Sequence, residues 1–508
     1  MPLSFPRTLV AGLALLGASL AWPAGAVGGD APDAVHADIA RDIQAEIAAG
    51  RLTGVSVALI QHGRIVWEQG FGWADREARR PVTPHTPFSI ASTSKTFTTA
   101  AVMTLVKAGK IAFDAPANDY LGEYKIVDGH GPASAATVRM LASHTSGLPT
   151  FFLMYPKMYP KGEGTRPPPT DALLRDYGRV VAPPGTHYEY SNLGYQVLDD
   201  IVQRTAHEDF GAYLEKHIFR PLGMRDSFFD TDATLSASRA IRYDDDGHRM
   251  PFYLTATPGS GEVYASADDL ARWAMFNLKD HRADQAPILS DRELDELHEP
   301  ESLIGANQYY ALGWDVWKRP DGTRVVGNPG GQSGVRSEFV LVPGADVACV
   351  ILSNRHSDRE FIEKLRDRLL ASVVPGWPGL PFYNTPTPAP LSPAGEYAGE
   401  WKGALTAQGK AVPVVLRIAP NGKATFAIGD APAAAIDGLG LLDQRLVGDT
   451  TGVIKAPDAE REHLRKISLD MRRDGERLAG EAVAWRITAD RMAIVPYHME
   501  LRRLAVAQ

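Results

Sequence analysis

The chain has 508 residues, of which 44% are hydrophobic and 22% are charged, and its formal net charge at pH 7 is −8. The length allows two or three domains, and the composition is that of an ordinary globular protein. The negative charge and the lack of a basic run argue against nucleic acid and an anionic membrane surface as partners. With one cysteine, Cys349, the chain has no internal disulfide, and no residue spacing resembles a zinc site, so we expect no metal and no cofactor.

Residues 1–26 have the pattern of a cleavable signal peptide. Arg7 precedes an apolar run that is short for a membrane span, and Ala24-Gly-Ala26 is a small-x-small cleavage pattern. We predict cleavage after about Ala26 and export, to the periplasm if the source is a Gram-negative bacterium. No later segment is apolar over eighteen residues, so we expect no membrane span in the mature chain.

Residues 34–374 show strand patterns near both ends and mostly helical patterns between those strands. A helix over 34–49 precedes a strand–turn–strand pattern in 55–67, strands return within 313–352, and a helix over about 359–373 closes the region. This order predicts an α/β (α+β) fold, in which both chain ends build one mainly antiparallel sheet and a helical region is inserted.

Residues 151–185 are rich in Tyr, Pro, Gly and Lys and show no clear period. A loop of this length in a compact domain is usually functional, often as a lid or a wall of a cleft. The alternative is a disordered insertion.

The C-terminal region differs from the rest in its periodicity. Residues 375–393 are rich in proline and predict a stiff linker at a domain boundary. Residues 394–508 alternate apolar and polar positions around hairpin turns such as Asn421-Gly422, which predicts a small antiparallel β-barrel, lipocalin-like or a sandwich. Whether this domain recognises a ligand or only stabilises the protein stays open.

A Ser92-x-x-Lys95 pair opens a predicted helix. The spacing places both side chains on one helix face, and the serine lies at the positive end of the helix dipole. A lysine can activate a serine only if desolvation or nearby positive charge lowers its pKa. Taken alone, the pair is also compatible with a helix cap and a solvated lysine.

Further motifs follow this pair in a fixed order. They are Leu141-Ala-Ser-His-Thr-Ser-Gly-Leu-Pro149, Tyr190-x-Asn192, Pro221-Leu-Gly-Met224 and a glycine-rich turn, Gly327-Asn-Pro-Gly-Gly-Gln-Ser-Gly334. Over roughly residues 36–373, the set resembles the serine β-lactamase and penicillin-binding-protein-like family, closest to its class C and esterase/D-aminopeptidase branch. The resemblance implies a β-lactamase-like domain with its site in the cleft between sheet and helices.

The resemblance also implies a role for each motif residue. Ser92 is expected to be the acylated nucleophile, and Lys95 to orient it and share its proton. Tyr190 is expected to act as general base, as a phenolate or through a proton shared with Lys95, and Asn192 to hold Lys95 and the substrate carbonyl. The resemblance places His144 in a structural loop remote from the chemistry.

The glycine-rich turn is expected to orient the substrate through Asn328, Gly330 and Gly331. By the resemblance, the oxyanion hole consists of the backbone N–H groups of Ser92 and Gly331. The family usually has Lys-Thr-Gly or His-x-Gly where this chain has Asn328-Pro329-Gly330. Asparagine carries no charge, and proline removes a hydroxyl that helps to bind a substrate carboxylate. Arg336 either replaces that anion contact or is a solvated strand residue.

We therefore predict a serine hydrolase that acts on small-molecule esters or amides, as an esterase or D-amino-peptide hydrolase. The first alternative is a true β-lactamase or D,D-peptidase acting on a β-lactam or peptide. The second is a catalytically weak penicillin-binding or sensor protein. The sequence gives no prediction of the oligomeric state.

Overall fold

The computed structural model describes residues 34–156, 167–229, 238–356, 359–380 and 387–504. The predicted signal peptide, residues 1–26, lies outside the described residues, and so does part of the predicted linker. Among the helices of the described residues, none is both long enough and apolar enough to cross a membrane.

The first sheet joins strands from both ends of the region 34–374, and its pairings are antiparallel. Val55 lies opposite Ser353, so the strand nearest the N-terminus pairs with one of the last strands of the region. The strands lie in the order Arg80–Pro81, Arg64–Asp75, Gly54–Gln61, Val347–Ser353, Val335–Val342, Arg324–Gly327, Asp315–Lys318, Gln308–Tyr310 and Ser302–Gly305. The short strand Gly330–Gln332 also pairs with Val335–Val342. This arrangement confirms the predicted fold class.

Two helices cover one face of this sheet. Ala34–Ala48 and Arg359–Val373 bury apolar positions spaced by four residues, such as Ile39 and Ile43, against the sheet. Because both faces of the central strands are covered, Gly54–Gln61 is almost wholly buried and reads as a continuous apolar run.

The helical region lies on the other face and shares a large apolar core with it. Its α-helices are Ser94–Lys107, Val138–Ala142, Thr170–Tyr177, Asn192–Ala206, Phe210–Leu214, Arg220–Leu222, Ala267–Asn277 and Asp291–His298. A small sheet of Phe88–Ser89, Val263–Ala265 and Phe228–Phe229 lies beside the start of the Ser94–Lys107 helix.

The C-terminal region is one long antiparallel sheet that curls into a half-barrel. Its strands lie in the order Ala389–Pro390, Asp437–Leu442, Arg445–Thr451, Lys466–Asp474, Arg477–Ile487, Met492–Arg503, Gly399–Ala407, Lys410–Ile418, Ala424–Ile428 and Ala434–Ala435. The curl brings distant strands together, since Thr450 Oγ1 donates to the Ala435 carbonyl over 2.8 Å. A short helix, Pro457–Arg461, lies between two of the strands. The antiparallel prediction is confirmed, with a half-barrel as the form of the sheet.

The segment 151–185 contains regular structure that the sequence pattern does not reveal. Phe152–Pro156 is a strand that pairs with Ala493 and Ile494 of the half-barrel and with the strand Tyr253–Thr255. The Thr170–Tyr177 helix follows, and residues 157–166 lie outside the described residues. The strand Phe152–Pro156 therefore connects the half-barrel directly to the helical region.

Candidate active site

Ser92 lies in a tight turn just before the Ser94–Lys107 helix. The turn is a 3₁₀ turn, Ala91–Thr93, so Ser92 precedes the α-helix instead of lying in its first turn. Ala91 is buried and has a φ of 46°, a left-handed conformation that is uncommon for alanine. This turn leaves Ser92 half-buried between the buried residues Ala91 and Thr93.

Two polar side chains contact the Ser92 hydroxyl. Its Oγ lies 2.8 Å from the hydroxyl of Tyr190, and Lys95 Nζ donates to the same Oγ over 3.1 Å. Lys95 Nζ also donates to the carbonyl of Ser260 over 3.0 Å and lies 4.9 Å from the centre of the Tyr190 ring. The structure therefore brings together Ser92, Lys95 and Tyr190, which are distant in sequence.

Burial sets the protonation of this group. Lys95 is 0% exposed, and burial lowers its pKa well below the ordinary value, although the charge of Asp315 acts in the opposite direction. Burial also raises the pKa of Tyr190, against the effect of its hydrogen bond with Ser92. A buried lysine amine with a lowered pKa can accept a proton from a hydroxyl that it contacts.

His144 contacts the Tyr190 segment in two ways. Its ring centre lies 4.4 Å from that of Tyr190, and its Nδ1 accepts a hydrogen bond from the Ser191 N–H over 3.0 Å. Its carbonyl accepts a second bond from the Glu189 N–H over 2.7 Å. Burial lowers the pKa of His144 well below its ordinary range, which keeps the ring neutral. The interpretation of His144 as remote from the candidate residues is wrong.

Asn192 is the first residue of the Asn192–Ala206 helix, next to the capping residue. Ser191 is the cap, and its Oγ accepts from the Gly194 N–H and donates to the Pro149 carbonyl. Asn192 is 9% exposed, and within the described part of the chain its amide makes no hydrogen bond to Lys95. Its role toward a substrate stays a prediction.

The Asn328 side chain is buried and makes its hydrogen bonds to other groups of the protein. Asn328 is 3% exposed, and its Nδ2 donates to the Gly313 carbonyl over 2.8 Å and to the Tyr310 hydroxyl over 3.2 Å. Its own carbonyl accepts from Thr93 Oγ1 over 2.7 Å, which ties the glycine-rich turn to the turn of Ser92.

Gly330 lies against the Ser92 turn. A Cβ at this position would lie 2.2 Å from the Ile90 carbonyl oxygen and 3.0 Å from the Ser92 nitrogen. Gly331 is exposed, and a Cβ there would lie 3.4 Å from His356 Nε2 and 3.6 Å from Arg336 Nη1. The strand Gly330–Gln332 therefore forms a wall beside the candidate nucleophile, and the predicted oxyanion hole stays a prediction.

Sequence reasoning missed two groups that contact the site. The carbonyl of Ser260 has no residue-type signal, since any residue carries a carbonyl. His144 lies within the Leu141–Pro149 motif, which was a usable signal, but its contacts depend on the fold. Within the residues that the structure describes, no group of histidine, cysteine and acidic side chains is arranged to hold a metal ion.

The region that carries these residues is similar to a known protein family and to individual proteins. A family model described as Beta-lactamase matches residues 39–372. Protein flp of Staphylococcus aureus (strain MW2) is 26% identical over 337 residues, which are 65% of this chain and 65% of that protein. An unguisins hydrolase of Aspergillus campestris (strain IBT 28561) is 28% identical over 348 residues, which are 64% of this chain and 62% of that protein. The chain thus spans less than two thirds of the length of these relatives.

Solved structures share the fold at low sequence identity. The crystal structure of SurE has a TM-score of 0.64 at 19% identity and covers 93% of this chain and 99% of its own, so the likeness includes the half-barrel. A class C beta-lactamase has a TM-score of 0.56 at 19% identity and covers 66% of this chain and 96% of its own.

Proposed function

The chain belongs to the beta-lactamase family, and we propose that it is an exported serine hydrolase that cleaves esters or amides through an acyl-Ser92 intermediate. The observation that carries the proposal is the contact of Ser92 Oγ with two groups, the Lys95 amine at 3.1 Å and the Tyr190 hydroxyl at 2.8 Å. The burial of Lys95 supports it further, because a solvated lysine at the same distance would be protonated and unable to accept a proton.

We assign the first proton transfer to Lys95. Ser92 Oγ attacks the substrate carbonyl carbon while its proton passes to the Lys95 amine, and a tetrahedral intermediate forms. Tyr190 is then placed to donate its phenolic proton to the leaving alcohol or amine, and the Lys95 ammonium restores that proton. This differs from a phenolate mechanism because burial raises the pKa of Tyr190 and keeps its hydroxyl protonated.

Deacylation reverses the same path. Water attacks the acyl carbon, and its proton passes to the Tyr190–Lys95 pair. The pair returns that proton to Ser92 Oγ as the bond between Oγ and the acyl carbon breaks and the product acid forms. We propose that the backbone N–H groups of Ser92 and Gly331 bind the oxyanion in both steps. Loss of one such donor typically costs about 10²–10³ in rate.

The glycine-rich turn supports a proposal for the substrate class. Asn328 has no charge and its amide is held by buried groups, so this position offers no cation to a substrate carboxylate. We therefore propose esters or amides without a free carboxylate beside the scissile bond. One structural neighbour was solved with D-Leu, which supports D-amino-acid derivatives as one such class, and one relative is named as a hydrolase of unguisins. The first alternative is a β-lactamase or D,D-peptidase activity. The second alternative is a catalytically slow penicillin-binding or sensor protein.

A fluorophosphonate probe tests the proposal. We expect one covalent adduct per chain, located at Ser92 by peptide mapping and absent from Ser92→Ala, and a mature mass that lacks residues 1–26. A folded protein that gains no adduct at Ser92 would contradict the acyl-enzyme mechanism. Rates with p-nitrophenyl acetate, a D-alanyl amide and nitrocefin then separate the esterase, peptide hydrolase and β-lactamase activities. An acyl adduct that forms slowly and never hydrolyses would instead indicate a sensor.

A further inference from the structure

The segment that carries Tyr190 is held between two parts of the molecule. On one side, the backbone N–H groups of Glu189 and Ser191 donate to His144, over 2.7 and 3.0 Å. On the other side, the half-barrel presents charged side chains to His187 and Glu189. Tyr190 lies between these two residues and the helix cap, so contacts on both sides fix its backbone.

Two arginines of the half-barrel make the second set of contacts. Arg472 Nη2 donates to His187 Nδ1 over 2.8 Å, and His187 Nε2 lies 3.4 Å from a Glu189 carboxylate oxygen. Arg445 Nη1 lies 3.6 Å from the same Glu189 oxygen and donates to Asp470 over 2.5 Å. Arg445 and Arg472 lie opposite each other on neighbouring strands, so both reach the segment from one face of the sheet.

Arg445 lies among the acidic side chains of this cluster. Glu189, Asp470 and Glu481 are three acidic groups around it, and Asp470 and Glu481 lie directly opposite each other across two strands. Burial raises the pKa of Asp470 to about 6 and that of Glu481 well above its ordinary value, and the charge of Glu189 adds to both shifts. Without Arg445, the Glu189 carboxylate would face these groups with Arg472 as the remaining arginine of the cluster, which is unfavourable in a largely buried site.

We infer that the half-barrel holds Tyr190 in position for the reaction through the contact of Arg445 with Glu189 and of Arg472 with His187. Arg445 is thus a positioning residue for the hydroxyl that lies 2.8 Å from Ser92 Oγ. The inference rests on the proposed function of Tyr190, and it gives the half-barrel a part in the reaction without direct contact with the substrate.

The test compares two arginines of the half-barrel. Arg445→Met removes the contact with Glu189, and Arg417→Met is the matched control, because Arg417 is exposed and pairs with Glu400 within the half-barrel at 2.7 Å. We measure the acylation rate constant, kcat and KM with a D-alanyl amide, whose leaving amine needs a proton, and we express the rates per site labelled by a fluorophosphonate. A displacement of about 1 Å can cost on the order of 10²-fold, so we expect a loss of about 10- to 100-fold in acylation and kcat for Arg445→Met. We expect KM to stay within about twofold, Arg417→Met to match the wild type, and Arg445→Lys to recover part of the rate.

Hydrogen exchange provides a readout that does not depend on activity. We expect Arg445→Met to speed exchange at the Glu189 and Ser191 amides, with exchange in the buried strand Val347–Ser353 unchanged. Glu189→Ala removes the same contact from the other side and keeps the Arg445–Asp470 pair, so it serves if Arg445→Met does not fold. The double variant Arg445→Met/Glu189→Ala is expected to be no slower than the slower of the two single variants, because both substitutions remove the same contact.

Two results would overturn the inference. One is an acylation rate for Arg445→Met within twofold of that for Arg417→Met, and the other is unchanged exchange at residues 187–191. If the wild type is not labelled at Ser92, the proposed function fails, and the exchange data alone then decide whether the half-barrel holds the Tyr190 segment.

Discussion

At the scale of single residues, the site depends on the burial of one lysine. Lys95 is 0% exposed, and its amine donates hydrogen bonds to two uncharged oxygens, the Ser92 hydroxyl and the Ser260 carbonyl. The pKa of Lys95 is therefore lowered well below its ordinary value, and the amine can act as a base at the point where the serine proton must leave.

We expect Lys95→Ala to lower the rate at which a fluorophosphonate labels Ser92 by about 10²–10⁴-fold, the usual contribution of general acid–base catalysis. We expect Tyr190→Phe to lower the acylation rate with a D-alanyl amide by a similar factor, because the leaving amine needs a proton. Lys107→Ala, at the exposed end of the same helix, is the control and should leave the rate unchanged. A loss below about tenfold for either site variant would reject the role assigned to it.

The pH profile of the wild type follows from the same shift. The reactive form carries a neutral Lys95, so acylation should be lost as pH falls through the lowered pKa of Lys95 and be restored as pH rises. A rate that increases only near the ordinary lysine pKa, about 10.4, would show that Lys95 is not the base.

The sequence predicted Ser92, Lys95 and Tyr190 as a group because each belongs to a short motif of distinctive residue types. It did not predict the Ser260 carbonyl, since a backbone group leaves no trace in residue identity. Arg445 and Glu481 are charged residues in strands whose sequences alternate between apolar and polar positions. The charged side chains of such strands usually face solvent. Only the docking of the half-barrel on the Tyr190 segment makes them part of a buried cluster.

At the scale of elements, the strand Gly330–Gln332 lies directly against the Ser92 turn. Part of the predicted glycine-rich turn is a strand, because Gly330–Gln332 pairs with Val335–Val342, and Ser333 and Gly334 form the turn between the two strands. The strand Phe152–Pro156 could not be predicted from local pattern, since its partners lie at Tyr253–Thr255 and at Ala493 and Ile494. Strand pairing of this kind depends on the tertiary fold and overrides local propensity.

We expect Gly330→Ala to lower both acylation and stability. The new Cβ would lie 2.2 Å from the Ile90 carbonyl and 2.4 Å from Ser337 Oγ, so the strand or the Ser92 turn must move. Overpacking typically costs about 1–3 kcal/mol, and a displaced nucleophile should lose at least about tenfold in acylation.

Gly344→Ala is the matched control, because a Cβ there meets nothing within 4 Å. Thermal unfolding and fluorophosphonate labelling measure both effects. A Gly330→Ala protein that is labelled as fast as Gly344→Ala would show that the close approach is not needed for acylation.

At the scale of the whole molecule, one buried histidine links folding to pH. His298 is 4% exposed, its ring packs edge-on against Trp314 at 4.6 Å, and burial lowers its pKa to about 3. Because the folded state lowers this pKa, the unfolded state binds the proton more readily below pH 6.5. The contribution of His298 to stability is therefore full above pH 6.5 and is lost as pH falls toward 3.

We expect the free energy of unfolding of the wild type to fall, relative to His298→Asn, by about 1.4 kcal/mol per pH unit between pH 6 and pH 4. Denaturant titrations at several pH values measure the difference between the two proteins. His248→Asn, at a side chain that is 78% exposed, is the control and should follow the wild type. Parallel pH dependence of His298→Asn and the wild type would contradict a buried neutral His298.

The pairing of Val55 with Ser353 also has a consequence for how the chain folds. The strand Gly54–Gln61 can form a hairpin with Arg64–Asp75 as soon as both are synthesised, but its other edge stays open until Val347–Ser353 is available. Contacts of such long sequence separation carry a large loop-closure entropy and make folding slow. During that interval an apolar strand, buried on both faces in the native protein, presents an unpaired edge. The first half of the chain is thus prone to aggregation until the second half arrives, and a chaperone that holds it extended would favour the correct sheet.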